Sequence, residues 1–166
     1  EPTQNQFGDY QWFENGELLA EAPGEGTHGF SLRYHPLRDA KSEQEIDDWF
    51  DSYEGNFLAR IRGTDEELDW AVDFAQNLRE TTYKAIVSDY IGTYIENAQG
   101  IVGWYINYKA MVRKPELAHH FFNRLQEELV QGIEKYLGAV GEYVDVFMFA
   151  DDIGHQRGPM MKMNIY

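Results

Sequence analysis

Val144-Asp145-Val146-Phe147-Met148-Phe149-Ala150-Asp151-Asp152-Ile153-Gly154-His155-Gln156-Arg157-Gly158-Pro159 is the stretch on which the fold turns. Its first six residues form an apolar run broken only by Asp145. A run without strict alternation predicts a strand covered on both faces, as in parallel sheets. Seven of the ten residues after it are polar or glycine, which predicts a loop at the carboxyl end of that strand. A parallel partner requires a crossover connection, and the sequence upstream supplies one. Lys84-Ala85-Ile86-Val87-Ser88-Asp89-Tyr90-Ile91 predicts a second short buried strand.

Between the two runs, a long helix is predicted from about Tyr94 to Val112, with Ile95, Ala98, Ile101, Val102, Tyr105 and Ile106 on one stripe. Pro115 suits the first turn of a following helix, where its missing N–H is harmless. Leu117, Phe121, Leu125, Leu129, Ile133 and Leu137 then mark one face until Gly138 and Gly141. Strand, helices and strand compose a right-handed crossover unit, so the fold class is α/β.

Further upstream, Ser42-Glu43-Gln44-Glu45 and Thr64-Asp65-Glu66-Glu67 are capping boxes. They predict a short helix to about Tyr53 and a longer one with Leu68, Ala71, Val72, Ala75 and Leu78 inward. Residues 1–40 are dense in Gly and Pro, which predicts a loop-rich segment with short extended pieces around Tyr10–Phe13 and Phe30–Tyr34. Asn15-Gly16 is a turn dipeptide. That segment is either a flap over a site or a surface excursion. The domain division is therefore 1–40 and 41–166.

Of 166 residues, 29 are acidic and 14 are Lys or Arg, a net charge of −15. Such a surface repels nucleic-acid phosphates and anionic membranes, so neither is an expected partner. A phosphate or carboxylate ligand would need a local basic site. The chain has no cysteine, which removes disulfides and thiolate chemistry. No run approaches the roughly 18 apolar residues of a membrane span, and no signal peptide is visible.

In parallel α/β folds reactive groups gather beyond the carboxyl ends of the strands. Asp151, Asp152 and His155 are accordingly the catalytic candidates, with Gln156 and Arg157 as substrate contacts. Adjacent acids in an extended chain point apart, so Asp152 is assigned to the cavity and Asp151 to orienting or capping. Asp89 and Glu96, at or past the end of the 84–91 strand, are further binding candidates. Glu116-x-x-His119 matches a carboxylate–histidine helical spacing but has no second copy, and no metal ligand is assigned. His119 and His120 are expected on the surface and His35 in a turn. No dinucleotide, phosphate-loop or Ser-His-Asp signature is present.

The string 144–159 resembles the mid-barrel strand and loop of uroporphyrinogen decarboxylase-like proteins. Its Asp-Asp-aliphatic-Gly-x-Gln-x-Gly-Pro form is similar to the branch holding corrinoid-linked methyltransferases. Decarboxylases proper usually carry a serine around the position of Asp152. His35-Pro36-Leu37 and the helix pair 94–112 and 115–138 follow the family's order, so the resemblance spans roughly residues 30–166.

The resemblance implies a portion of a (β/α)₈ barrel, which in this family has about 300 residues or more and of which this chain would be about half. It implies a cytoplasmic one-carbon enzyme acting on a small molecule or a corrinoid protein. Corrinoid and zinc are the implied cofactors of a full-length parent, with zinc ligands later than any residue here. Decarboxylation of a tetrapyrrole such as uroporphyrinogen is the alternative, although the family's carboxylate-gripping arginines fall earlier in its chain. A non-catalytic barrel piece that associates with itself or a partner is the third expectation.

Overall fold

The structure is a computed structural model, and it describes residues 3–6, 10–14, 16–22, 31–32, 35–52, 61–89, 93–151, 153–160 and 162. In chain order the elements are β1 (Thr3–Gln4), β2 (Tyr10–Glu14), β3 (Glu17–Ala22), β4 (Ser31–Leu32), α1 (Glu43–Ser52) and α2 (Asp65–Thr81). There follow β5 (Val87–Asp89), α3 (Tyr94–Val102), α4 (Trp104–Arg113), α5 (Pro115–Val140), β6 (Val146–Met148), β7 (Gly154–His155) and β8 (Gly158–Pro159).

α5 is the axis of the molecule. Its 26 residues extend about 39 Å, and it packs against α1, α2, α3 and α4. Phe121, Leu125 and Leu129 on its apolar stripe are buried, and the four-residue spacing between them keeps them on one side. They meet Ile46 and Phe50 of α1, Ile61, and Ile95, Ala98 and Ile101 of α3 in one core. Phe50 and Leu125 are fully enclosed.

Caps fix where the helices begin. Thr64 and Glu67 form a complete capping box at α2. At α1 the device is displaced by one residue. Ser42 Oγ accepts the Glu45 N–H, while the Glu45 carboxylate takes the N–H of Lys41 rather than that of Ser42. α1 and α5 are also joined by charge. Asp47 accepts from His120 Nε2 at 2.9 Å and from Arg124 Nη1 at 2.7 Å, and Arg124 Nη2 reaches Asp51 at 2.6 Å. A bidentate pair, Arg62 with the buried Glu128 at 2.7 and 2.8 Å, ties the segment before α2 to α5 one turn beyond Arg124.

The helix expected over 94–112 is two helices. Gly103 breaks it with φ +87° and ψ 144°, a conformation open to glycine and strained for any other residue. The segment before α1 lies across the break: Leu37 N–H donates to Ile101 O at 3.0 Å. His35 Nδ1 is 2.8 Å from Gly100 O, and its ring would sit 3.2 Å from a Cβ at Gly103. His35 therefore belongs to this helix junction.

β5 and β6 pair in parallel, with Val87 opposite Val146 and Asp89 opposite Met148, as a crossover unit requires. The α/β class holds. Among the described residues the strands form three separate small sheets and no closed barrel. β5 starts three residues into the run 84–91, whose Tyr90 and Ile91 lie outside the described residues, β6 is shorter than the run 144–149, and only one face of the pair is covered. Ser88 Oγ hydrogen-bonds Tyr136 Oη of α5, and the Phe147 and Tyr136 rings lie 6.4 Å apart. Val87, Val146 and Met148, on the opposite face, are 60%, 49% and 47% exposed, which corrects the expectation of strands buried on both sides.

In the N-terminal segment β1–β4 form an antiparallel sheet in sequential order. Gly16, at φ +84°, turns the chain between β2 and β3. β2 falls at the expected extended piece, and β4 covers two residues of the expected 30–34 piece. β3 falls where the density of Gly and Pro predicts loop, and its residues Glu17-Leu18-Leu19-Ala20 are helix formers by propensity. Its register with β2 overrides that propensity.

Candidate functional site

β6 is held at both ends by aspartates six positions apart. At its start, Asp145 Oδ2 accepts the Ile86 N–H at 2.9 Å and Arg79 Nη2 at 2.9 Å. Arg79 also donates to Tyr143 O, so the end of α2, the lead into β5 and the start of β6 are tied together. Those contacts, the Ile86 amide first and the Arg79 guanidinium second, hold the Asp145 carboxyl below its ordinary range.

At the carboxyl end, Asp151 reaches across to the helix that follows β5. Its Oδ2 accepts the N–H groups of Tyr94 at 2.9 Å and Ile95 at 2.6 Å, and Oδ1 that of Glu96 at 3.3 Å. Thr93, the residue in the capping position, gives the backbone N–H groups of α3 no side-chain cap; its hydroxyl accepts from Asn97 Nδ2 instead. The cap therefore comes from another strand. A carboxylate at the positive end of a helix is stabilising, and here it also fills the place an anionic ligand would take.

This single contact joins the carboxyl ends of both parallel strands. Of the residues assigned to the site, Asp151 and Glu96 meet through it. Asp89 pairs in register at the end of β5, and its side chain lies outside the described residues, as does that of His155. Asp152 also lies outside the described residues. Asp151 caps the first turn of α3. Glu96 is exposed on the first turn of α3.

The stretch after Asp151 is a hairpin. β7 and β8 pair antiparallel, Gly154 with Pro159 and His155 with Gly158, and the Met160 N–H donates to Ile153 O at 3.1 Å. Gln156 and Arg157 form its exposed tip. Gly158 has φ +139°, a value L side chains rarely adopt, so glycine serves the return strand there. The hairpin sets an amide and a guanidinium ahead of the strand ends, groups suited to holding a polar substrate atom.

Tyr94 faces inward. Its hydroxyl donates to Phe122 O at 2.9 Å, its ring lies 5.0 Å from that of Phe122, and burial pushes its pKa up. Of the helical histidines, His119 is exposed and His120 serves the Asp47 network. Among the described residues no group of three or more His, Asp and Glu could hold a metal ion. The donors among the described residues do not fit zinc. No helix of the described residues is long and apolar enough to cross a membrane.

Two features escaped sequence reasoning. The Arg79–Asp145 clamp joins residues 66 positions apart, and only the isolated acid within an apolar run hints at it. The other is a cavity of about 390 Å³ between the 36–41 turn, α4 and the start of α5. Its cations include the adjacent Arg113 and Lys114, a visible basic pair in an acidic chain. Comparison of the chain with protein-family models, with curated proteins and with solved structures returned no match.

Proposed function

We propose that the chain forms the reactive end of a parallel β/α unit in a one-carbon transfer enzyme of the uroporphyrinogen decarboxylase-like family, part of a (β/α)₈-type barrel. The observation that supports it is the Asp151 bridge, which brings the segment carrying the Asp-Asp-Ile-Gly-His-Gln string to the carboxyl ends of two parallel strands. Asp151, with both oxygens engaged by backbone N–H groups, is a positioning residue in this scheme. Asp152 orients the methyl donor or acceptor, His155 handles the proton, and Gln156, Arg157, Asp89 and Glu96 surround the substrate. A corrinoid or corrinoid protein is the methyl-carrying partner, and the cytoplasm is the proposed location.

Methylcobalamin-dependent turnover by the protein, measured beside conversion of uroporphyrinogen to coproporphyrinogen, tests the proposal. Methyl transfer that falls at least about ten-fold in Asp152→Ala supports it. Coproporphyrinogen formation without methyl transfer replaces it with the decarboxylase, and absence of both removes it.

The open face of Val87, Val146 and Met148 favours a second, non-catalytic role in which copies of the chain associate. Light scattering decides that role: concentration-dependent mass supports it, and a monomer at all concentrations rejects it.

A further inference from the structure

We infer that the cavity beside the helix break is a second ligand site, built for a small amphipathic organic anion with an apolar body and a carboxylate or phosphate head. It shares no lining residue with the 84–96 and 144–160 segments and is independent of the one-carbon proposal.

The charge distribution carries the inference. Arg38, Lys41, Lys109, Arg113 and Lys114 line this cavity, five of the fourteen Lys and Arg in the chain. Of its twenty-nine acids, Asp39 alone does so. On an ordinary solvated face of so acidic a protein the cations would be interleaved with carboxylates. Elsewhere Arg62, Arg79, Arg124 and Lys135 pair with acids, and Lys84 and Lys162, without an ion pair among the described residues, stand singly rather than around one opening. Arg38, Lys41, Arg113 and Lys114 make no ion pair among the described residues. Four uncompensated cations around one opening focus a positive potential there. Arg113 gains from the carbonyl end of α4, which accounts for one of the four.

Behind that rim the walls are apolar. Leu37, Ile46, Ala118 and Phe121 are buried core residues that also line the cavity, and Val102 and Leu117 join them. At about 390 Å³ the cavity lies within the range of small-molecule pockets, roughly 300–1,000 Å³. α5 begins on this rim without a side-chain cap, in contrast to α3, whose N-terminus Asp151 occupies. An apolar floor favours a hydrocarbon or ring, and the cationic rim favours an anionic head group even though the protein as a whole is negative.

The test uses the whole chain with three probes that share one hydrocarbon tail: n-octyl phosphate, octanoate and n-octanol. Calorimetric titration gives the affinities, and amide chemical shifts locate the binding. Expected is binding of one or both anions at least about ten-fold tighter than octanol, with shifts concentrated in residues 37–41 and 109–118. The preferred anion identifies the head group. Arg113→Gln with Lys114→Gln should weaken that anion about ten-fold while leaving the thermal midpoint unchanged. Should that pair lower the midpoint, Arg38→Gln with Lys41→Gln on the opposite rim provides the same comparison. Octanol binding as tightly as the anions, shifts centred elsewhere, affinity unchanged in the charge variants, or no binding by any probe would each overturn the inference.

Discussion

Asp151 does at the residue scale what no local motif does for α3. It supplies a carboxylate to three N–H groups that Thr93 leaves open. Removing a cap of this kind costs about 1–2 kcal/mol, so Asp151→Ala should lower stability by that amount in urea titration. Amide exchange at Tyr94, Ile95 and Glu96 should quicken in the same variant. Asp151→Asn keeps one acceptor oxygen and should lose less. Gly103 is the second decisive residue. An alanine there must hold φ near +87° with its Cβ 3.2 Å from the His35 ring. Gly103→Ala is therefore expected to cost about 1–3 kcal/mol by chemical denaturation. A cost near zero would mean that the α3–α4 junction can straighten.

At the scale of elements, what the sequence makes legible is periodicity, and what it hides is partnership. The α5 stripe is evident because Leu117, Phe121, Leu125 and Leu129 recur every four residues, and the core follows it. The break at Gly103 is hidden because the apolar stripe continues in phase on both sides. Among the described residues His35 and Leu37, brought against the break by the fold, hydrogen-bond the carbonyls of Gly100 and Ile101 there. β6 is shorter than the run 144–149 for a related reason: hydrophobicity marks a run as able to pair, whereas hydrogen-bonded partners decide how much does. The cap from Asp151 lies 57 residues from the Tyr94 N–H it satisfies, beyond any local pattern, although the preference for reactive loops at strand ends pointed to its neighbourhood.

Helix pairing also allows a comparison of two ion pairs. Glu128 is buried and bidentate to Arg62, so Glu128→Ala strands a guanidinium that also donates to Phe50 O. Because the Arg62 side chain is 41% exposed and can rehydrate, the expected loss is about 2 kcal/mol, below that for a fully buried pair. The exposed Lys135–Asp65 bridge spans α5 and α2 at 3.0 Å, and Lys135→Ala should cost less than about 1 kcal/mol. Urea midpoints of the two variants check the ranking.

Taken whole, the molecule is strongly acidic yet ties its elements together through particular carboxylates. Asp47 is held below the ordinary carboxyl range by its hydrogen bond from His120 first, with Arg124 adding to it, and Asp145 by Ile86 and Arg79. A carboxyl whose pKa is lower folded than unfolded contributes stability that is fully present above its unfolded value, about 3.9. That contribution is lost as the pH falls through the folded value. Urea midpoints should thus decline below about pH 4, and Asp47→Asn or Asp145→Asn should flatten that decline while lowering the midpoint at pH 7. An acid limb as steep in both variants as in the parent would assign the loss to other groups.

In the proposed function a one-carbon partner engages the segment after β6, which Asp151 ties to the start of α3. Titrating the isotopically labelled protein with methylcobalamin and following its amide resonances tests this most directly. The largest changes should fall at residues 94–96 and 150–159 and shrink in Asp151→Ala. Resonances there that stay still at saturating methylcobalamin, or changes centred on another part of the molecule, would contradict the account.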